Sequence, residues 1–155
     1  MTRLQGKAAL VVGVAPGNLG EHIAWRFADE GAKVMVAGRR AEPLGEAAAR
    51  IGALAHVCDI EQEADIRALV AAARERLGRI DVAVNATGWG LLKPFAEHSR
   101  EELERMCAVQ FVGPFQLLQA LVEAMLAGGS IIQISSVTAT IMFDHHAAYM
   151  GTKAG

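Results

Sequence analysis

The sequence predicts an α/β protein built on a doubly wound parallel sheet with helices on both faces. Short runs of Val, Ile and Ala recur along the chain without alternation of polar and apolar residues, as expected for strands covered on both sides. The stretches between these runs carry apolar residues at helical spacing. Strand and helix therefore alternate, which is the pattern of βαβ units that connect right-handedly into one sheet.

Five strands are predicted in chain order, of which the third is the weakest. The runs are AALVVG from Ala8, KVMVAG from Lys33, ALAHVCDI from Ala53, IDVAVNA from Ile80 and SIIQIS from Ser130. Helices are predicted between them over residues 21–30, about 42–50, 61–77 and about 101–125. Ligands of such sheets bind at the carboxyl ends of the strands, where the strand order reverses, so functional residues are expected just after the apolar runs.

Length and composition bound the class of protein. A chain of 155 residues with 52% hydrophobic content is long enough for one domain, here residues 1–155, and shows no repeats or internal linkers. The net charge of −2 provides no basic field, so neither a nucleic-acid nor a membrane partner is expected. The first apolar run is too short for a signal peptide or a membrane span, which predicts a cytoplasmic protein.

The two cysteines, Cys58 and Cys107, lie far apart and match no metal-ligand spacing. Reduced, packed thiols are the better interpretation of them. His145 and His146 precede the single tyrosine, but no third ligand is evident, and a role in a substrate loop or at the surface is favoured over metal binding. No metal site is predicted.

A glycine-rich loop, VGVAPGNLGEHIA, follows the first strand, with glycines at Gly13, Gly17 and Gly20 and a helix opening at about Gly20. Glycine accepts positive φ and lets a phosphate approach the backbone, while the helix amino terminus offers unpaired N–H groups and a partial positive charge. Because the loop joins a strand to a helix in the first of several βαβ units, it predicts a Rossmann-type dinucleotide site over a merely structural turn.

At this loop the sequence resembles the short-chain dehydrogenase/reductase family, whose glycine pattern is TGxxxGxG. Gly13 and Gly17 match this pattern, Val12 replaces the Thr, and the last glycine comes one residue late, at Gly20. The loop is therefore expected to bulge by one residue. The resemblance covers essentially the whole chain, although members of the family are commonly longer.

Two further motifs extend the resemblance at the ends of the third and fourth strands. CDI implies that Asp59 and Ile60 lie beside the adenine of a nucleotide cofactor. NATG is similar to the family's NNAG, which stabilises the central sheet and lines the cofactor pocket, and this implies that Asn85, Ala86 and Gly88 are cofactor-binding residues. Alone, either short motif could be an ordinary strand-end turn.

The second strand ends in AGRR, which bears on the choice of cofactor. Gly38 stands where NAD-preferring members of the family usually carry an acidic residue, and Arg39 follows it. A missing carboxylate next to a guanidinium favours the 2′-phosphate of NADP(H), with NAD(H) as the alternative cofactor. Two arginines on a solvated turn remain the structural alternative.

Tyr149 and Lys153, in YMGTK, lie four residues apart and so share one face of a helix. A phenol has a pKa of about 10, and an ammonium group nearby favours its phenolate form. The resemblance implies that Tyr149 exchanges a proton with the substrate and that Lys153 also holds the nicotinamide ribose, so both are cofactor-binding residues as well. It further selects Ser136, thirteen positions before the tyrosine, over Ser135 as the serine that holds the substrate oxygen.

One catalytic position departs from the family. The asparagine of its VNLxGxF segment corresponds to Gln110 in VQFVGPF, so an amide one methylene longer would have to anchor the water that leads protons away from Lys153. Trp89, Leu91, Leu92 and Phe95 could line an apolar entrance for the substrate, although loop packing explains them equally well.

These features together predict an oxidoreductase that transfers a hydride between NADP(H) and a carbonyl or secondary alcohol. The alternative from another class is a non-catalytic dinucleotide-binding module or sensor, which the late glycine and Gln110 motivate. An enoyl-thioester reductase is rejected, because those proteins place more residues between Tyr and Lys.

Two expectations concern the size of the protein. The sheet is expected to be truncated after its fifth strand, and the 155-residue chain by itself is expected to be inactive as an incomplete domain. The complete protein is expected to form a homodimer or homotetramer through its long apolar fourth helix, which includes FQLLQALVEAML from Phe115.

Overall fold

The computed structural model describes residues 2–154, so that Met1 and Gly155, the two ends of the predicted domain, lie outside the described residues. The regular elements alternate along the chain as the apolar runs predict. They are β1 (Ala8–Val12), α1 (Leu19–Asp29), β2 (Lys33–Gly38), α2 (Ala41–Ile51), β3 (Leu54–Val57), α3 (Glu63–Leu77), β4 (Val82–Asn85), α4 (Arg100–Cys107), a π-helical turn (Ala108–Val112), α5 (Gly113–Ala124), β5 (Ser130–Gln133) and α6 (Ala147–Ala154).

The five strands form one parallel sheet in the order β3-β2-β1-β4-β5. The strand β1 lies at the centre and is buried along its whole length. The chain runs outward from β1 in one direction through β2 and β3. It then crosses to the other side of β1, where β4 and β5 lie. The strand order therefore reverses between β1 and β4, which confirms the doubly wound Rossmann-type fold.

Each face of the sheet carries its own apolar core, which explains why the strand runs do not alternate. Leu10 and Met35 point to one face, where they pack with residues of α3 and α5. Val11 and Val36 point to the other face and pack with residues of α1 and α2. Both faces of each inner strand are covered, so successive residues are all apolar.

The helix predicted over residues 101–125 forms as one continuous helical run, Arg100–Ala124, in which a π-helical turn joins α4 to α5. Gly113 opens α5 against the segment that follows β3, and a Cβ built on it would lie 2.1 Å from the carbonyl oxygen of Ile60. By length and composition alone, the continuous run Arg100–Ala124 could cross a membrane. Here Leu117 and Leu121 of that run are buried in the core beside the sheet.

Candidate active site

The glycine loop leaves β1 at its carboxyl end and turns toward β2. The N–H groups of Gly13 and Val14 both donate to the carbonyl oxygen of Ala37, at 2.8 and 2.9 Å. Gly13 has a φ of +90°, and a Cβ built on it would lie 2.6 Å from the carbonyl carbon of Ala86. Both the backbone conformation and the lack of space therefore require glycine at this position.

A side chain closes the loop where α1 begins. Asn18 is the N-cap, and its Oδ1 accepts from the N–H groups of Glu21 and Ala15 at 2.9 and 3.2 Å. Its Nδ2 donates to the carbonyl oxygen of Gly13 at 2.8 Å. Gly20 lies inside the first turn of the helix, and a Cβ on it would lie 2.5 Å from that same carbonyl oxygen. The late glycine thus serves close packing between helix and loop.

The loop is also tied to α2 through Glu21. Its carboxylate accepts from the N–H of Gly17 and from the Nε of Arg50, the latter at 3.0 Å. The bond from Gly17 and then that from Arg50 lower the pKa of Glu21 below its usual value. One N–H of the glycine loop is therefore directed to a carboxylate of the protein itself.

A cavity of about 220 Å³ opens at the carboxyl ends of β1, β2 and β3. It lies at the switch point of the sheet, where a Rossmann-type fold receives a dinucleotide. Asn85, Gly17 and Gly20 do not line this cavity, but the other residues predicted for the adenosine and central parts of the cofactor do. These are Gly13, Arg39, Asp59, Ile60, Ala86 and Gly88.

The wall of this cavity at the end of β2 has no room for a side chain. A Cβ built on Gly38 would lie 2.4 Å from the carbonyl oxygen of Val14, which belongs to the glycine loop. Arg39, the next residue, is more than half exposed and lines the cavity. The absence of a carboxylate at Gly38 is therefore enforced by the path of the loop.

Three charged side chains that line the cavity lie close together. The Oε1 of Glu61 lies 3.5 Å from Nη1 of Arg39 and 3.5 Å from Nε of Arg105. The guanidinium of Arg105 lies over the ring of Trp89, 4.7 Å from its centroid. A cation over an aromatic face is attracted by the ring, which fixes the position of Arg105.

Asn85 is buried and joins strands rather than facing the cavity. Its Nδ2 donates to Oε1 of Gln133 on β5 at 3.0 Å. Its Oδ1 accepts from the N–H and the hydroxyl of Thr87, at 3.0 and 2.7 Å. These bonds hold the segment after β4, and with it Ala86 and Gly88, against the sheet.

A second cleft, of about 510 Å³, lies beside the first and contains the predicted catalytic residues Ser136, Tyr149 and Lys153. Ser136 caps a short 3₁₀ helix over Val137–Ala139, and its Oγ accepts from the N–H and the hydroxyl of Thr138, at 3.2 and 2.9 Å. With both of these bonds accepted, the hydroxyl proton of Ser136 is available to a substrate oxygen.

Lys153 reaches back from α6 to the end of β5. Its Nζ donates to the carbonyl oxygen of Ile134 at 3.2 Å and lies 6.0 Å from the centroid of the Tyr149 ring. Burial lowers the pKa of the Lys153 ammonium below its usual value. A group whose charge is partly desolvated in a cleft is typical of functional sites.

Gln110 lies in the π-helical turn and is buried, with 6% of its surface exposed. Its Nε2 donates to the hydroxyl of Thr152 at 3.0 Å, whereas its Oε1 has no partner among the described residues. A Cβ built on Gly88 would lie 3.8 Å from both this oxygen and Nζ of Lys153. The amide oxygen and the ammonium therefore flank the same glycine.

The two histidines before Tyr149 occupy different positions. His146 lines the second cleft, and its ring contacts that of Tyr149 edge to face at 6.2 Å between centroids. His145 is exposed and has a φ of +61°. Within residues 2–154, no three His, Cys, Asp or Glu side chains are grouped to hold a metal ion.

Comparison with known protein families matches residues 7–155 to the short chain dehydrogenase family. The chain belongs to the short-chain dehydrogenase/reductase family. Among curated relatives, it is 36% identical to the D-threitol dehydrogenase of Mycolicibacterium smegmatis, over 99% of this chain and 61% of that protein. It is 38% identical to a sorbitol dehydrogenase of Cereibacter sphaeroides, over 82% of this chain and 50% of that protein.

Solved structures of the short-chain dehydrogenase/reductase family have the same fold. A short chain dehydrogenase from Mycobacterium smegmatis superposes with a TM-score of 0.96 at 28% identity, over 100% of this chain and 67% of the other. A family member from Serratia marcescens superposes with a TM-score of 0.91 at 31% identity, over 97% and 64%. The chain spans 61% of the length of the threitol dehydrogenase and 64% of that of an uncharacterized oxidoreductase from Methylorubrum extorquens.

Several residues that shape this family member's site were not predicted from the sequence. Asn18 and Glu21 stand three apart at a helix start, a spacing typical of N-terminal capping that could have identified them. Thr152 directly precedes Lys153, but its contact with Gln110 depends on how α6 packs on the π-helical turn. Glu61 and Arg105 carry no local sequence signal, because they come from separate elements.

Proposed function

We propose that this chain carries the cofactor-binding and catalytic parts of an oxidoreductase that transfers a hydride between NADP(H) and a carbonyl or secondary alcohol. The observation that carries the proposal is the continuity of the two cavities. The segment Ala86–Trp89 lines both the cavity that holds Arg39 and the cleft that holds Tyr149. A dinucleotide extended along this segment has its adenosine end near Arg39 and its other end near the tyrosine.

The side chains of the cleft supply the proton chemistry. When bound, the nicotinamide cofactor supplies or accepts the hydride. Tyr149 donates its hydroxyl proton to a carbonyl oxygen, or removes one from an alcohol in the reverse direction. The Lys153 ammonium favours the phenolate form by its charge, and the free hydroxyl proton of Ser136 stabilises the developing negative charge on the substrate oxygen.

The preference for NADP(H) is supported by the end of β2. Arg39 offers a guanidinium that matches a 2′-phosphate, and the path of the loop excludes a competing carboxylate at Gly38. We expect Arg39→Ala in the complete gene product to weaken NADPH binding by about tenfold or more while NADH binding stays nearly constant. Arg100→Ala, at an exposed arginine of α4 that pairs with Glu104 and does not line the cavity, is the control. Equal affinities for both cofactors, unaffected by Arg39→Ala, would contradict the preference.

As the substrate class we propose polyols and the corresponding ketoses. Two relatives are named as dehydrogenases of threitol and sorbitol, which are polyols. The second cleft carries several polar side chains suited to hydroxyl groups, namely Thr87, Ser135, Ser136, Thr138 and His146. Turnover should therefore be measured with a panel of polyols, the corresponding ketoses and simple ketones.

A non-catalytic dinucleotide-binding module is the second candidate. It is supported by the unusual glycine loop, in which the N–H of Gly17 is already bonded to Glu21, and by Gln110 in place of asparagine. This alternative requires cofactor binding without turnover of any substrate in the panel.

We propose in addition that the complete protein is a homodimer or homotetramer. The outer face of the π-helical turn and α5 carries large apolar side chains that are about half exposed or more, namely Phe111, Val112, Phe115 and Val122. Association would remove this surface from water. Light scattering at micromolar concentration tests the proposal, and a monomeric mass would rule it out.

A further inference from the structure

The carboxylate of Glu61 occupies the corner of the first cavity where a 2′-phosphate would meet Arg39. Its Oε1 lies 3.5 Å from Nη1 of Arg39 and 3.5 Å from Nε of Arg105. The Glu61 side chain is 20% exposed, whereas the side chains of Arg39 and Arg105 are 56% and 47% exposed. The carboxylate is thus the most enclosed of the three groups and the least able to move away.

The other charged groups that line the cavity do not replace Glu61 in this contact. The carboxylate of Asp59 accepts a hydrogen bond from the N–H of Glu61 at 3.1 Å, so the Asp59 side chain is directed into its own turn. Arg40 is exposed at the start of α2. Arg105 packs on the ring of Trp89 and contacts the same oxygen of Glu61 as Arg39 does. Among the described charged residues, Glu61 is therefore the one whose carboxylate pairs with Arg39.

We propose that Glu61 is a specificity-determining residue that competes with the 2′-phosphate of NADP(H) for Arg39. The proposal rests on the function proposed above. A phosphate that approaches Arg39 meets the Glu61 carboxylate on the same guanidinium. Two negative groups that contact one guanidinium lie close together and repel each other. The 2′-hydroxyl of NAD(H) carries no charge and meets no such repulsion. Glu61 therefore reduces the difference in affinity between NADP(H) and NAD(H).

Glu61→Gln tests the competition, because it removes the charge and keeps the shape. The ligands are NADPH and NADH, together with adenosine 2′,5′-bisphosphate and adenosine 5′-monophosphate, which probe the adenosine end alone. Calorimetry on the complete gene product gives the dissociation constants without any need for turnover. In Glu61→Gln we expect the dissociation constants of NADPH and the bisphosphate to fall by about fivefold or more. Those of NADH and the monophosphate should change by less than about twofold.

Two further variants make the result specific. Glu63→Gln removes a glutamate that is half exposed on α3 and pairs with Arg67 outside the cavity, so it should change no affinity. In the double variant Arg39→Met with Glu61→Gln, the gain for NADPH should disappear, because the competition needs both residues. A gain that persists without Arg39 would overturn the proposal, since a general change of charge would then explain it.

The remaining outcomes separate this proposal from the proposed function. Wild-type protein that binds neither dinucleotide would reject the function itself. Arg39-dependent NADPH binding that Glu61→Gln leaves unchanged or weakens would reject only the role of Glu61. Loss of NADH and monophosphate binding in Glu61→Gln would also overturn it, because the carboxylate would then hold the ribose hydroxyls.

Discussion

Gln110 and Thr152 are joined by a hydrogen bond of 3.0 Å from Nε2 to Oγ1, which links the π-helical turn to α6. The Thr152 hydroxyl in turn donates within its own helix, to the carbonyl oxygen of Tyr149 at 3.0 Å or of Ala148 at 3.2 Å. The bond fixes which end of the amide faces α6. Its other end, Oε1, is thereby directed to the side of Gly88 and Lys153.

Thr152→Val should destabilise the protein by about 1–3 kcal/mol, because it leaves the buried amide nitrogen of Gln110 without an acceptor. Thr152→Ser retains the hydroxyl and should restore most of the stability. Urea denaturation of both variants measures the effect. If valine and serine gave the same stability, the hydrogen bond would not be what holds the amide.

Tyr149→Phe should lower turnover by about 10²- to 10⁴-fold, because only the acidic proton is lost. Cofactor affinity should stay close to that of the wild type, since the ring remains in the cleft. Lys153→Ala should reduce both turnover and affinity. Rates follow from NADPH absorbance in the complete gene product, and a Tyr149→Phe variant that retained most of its rate would require another catalytic acid or the non-catalytic alternative.

Gly38→Asp, which would place the acidic residue of NAD-preferring relatives here, should fail to improve NADH binding. The new Cβ would meet the carbonyl oxygen of Val14 at 2.4 Å, and overpacking of this kind costs about 1–3 kcal/mol or more. Gly45→Asp is the matched control, because a Cβ at Gly45 meets nothing within 4 Å. Thermal melts and NADH titrations compare the two, and a stable, NADH-selective Gly38→Asp protein would show that the loop yields.

The carboxylate of Glu30 predicts a dependence of stability on pH. Hydrogen bonds from the side chain and the N–H of Arg3 lower its pKa from 4.5 to about 2, with Arg26 adding a smaller effect. Because the folded pKa is lowered, this contribution is complete above about pH 4.5 and is lost as the pH falls toward 2.

Glu30→Gln should therefore be less stable than the wild type at pH 7, and the difference should shrink steadily below pH 4.5. Urea midpoints between these pH values measure it. Glu46→Gln, on the exposed part of α2, should follow the wild type throughout. A Glu30→Gln difference that stayed constant with pH would mean that the Arg3 contacts do not form in solution.

The strands were predictable because burial on both faces of the sheet requires short runs of apolar residues without alternation, and the helices because their apolar residues recur at helical spacing. Even the weak third strand forms, as Leu54–Val57, since its backbone pairs with β2 at the sheet edge. The π-helical turn within the long helix was not predictable from apolar spacing. A π-helical turn adds a residue to one turn without changing the composition.

The candidate site was predictable where a motif sits on one element, as Tyr149 and Lys153 do on α6. It was not predictable where side chains meet across elements. The Glu61 contacts bring together residues that follow β2 and β3 and a residue of α4, and Gln110 meets Thr152 only because α6 packs on the π-helical turn. Contacts of this kind depend on tertiary distances that spacing along the chain does not encode.

The close approach of Gly38 to Val14 makes substitutions at the end of β2 epistatic with changes in the glycine loop. An acidic residue at the end of β2 needs the carbonyl oxygen of Val14 to move away, because a Cβ at Gly38 would lie 2.4 Å from it. In an evolutionary lineage or a directed-evolution library, a change in the glycine loop that moves this oxygen should therefore precede the substitution. A search by single substitutions would discard every acidic variant at Gly38 and miss the two-step route to the other cofactor.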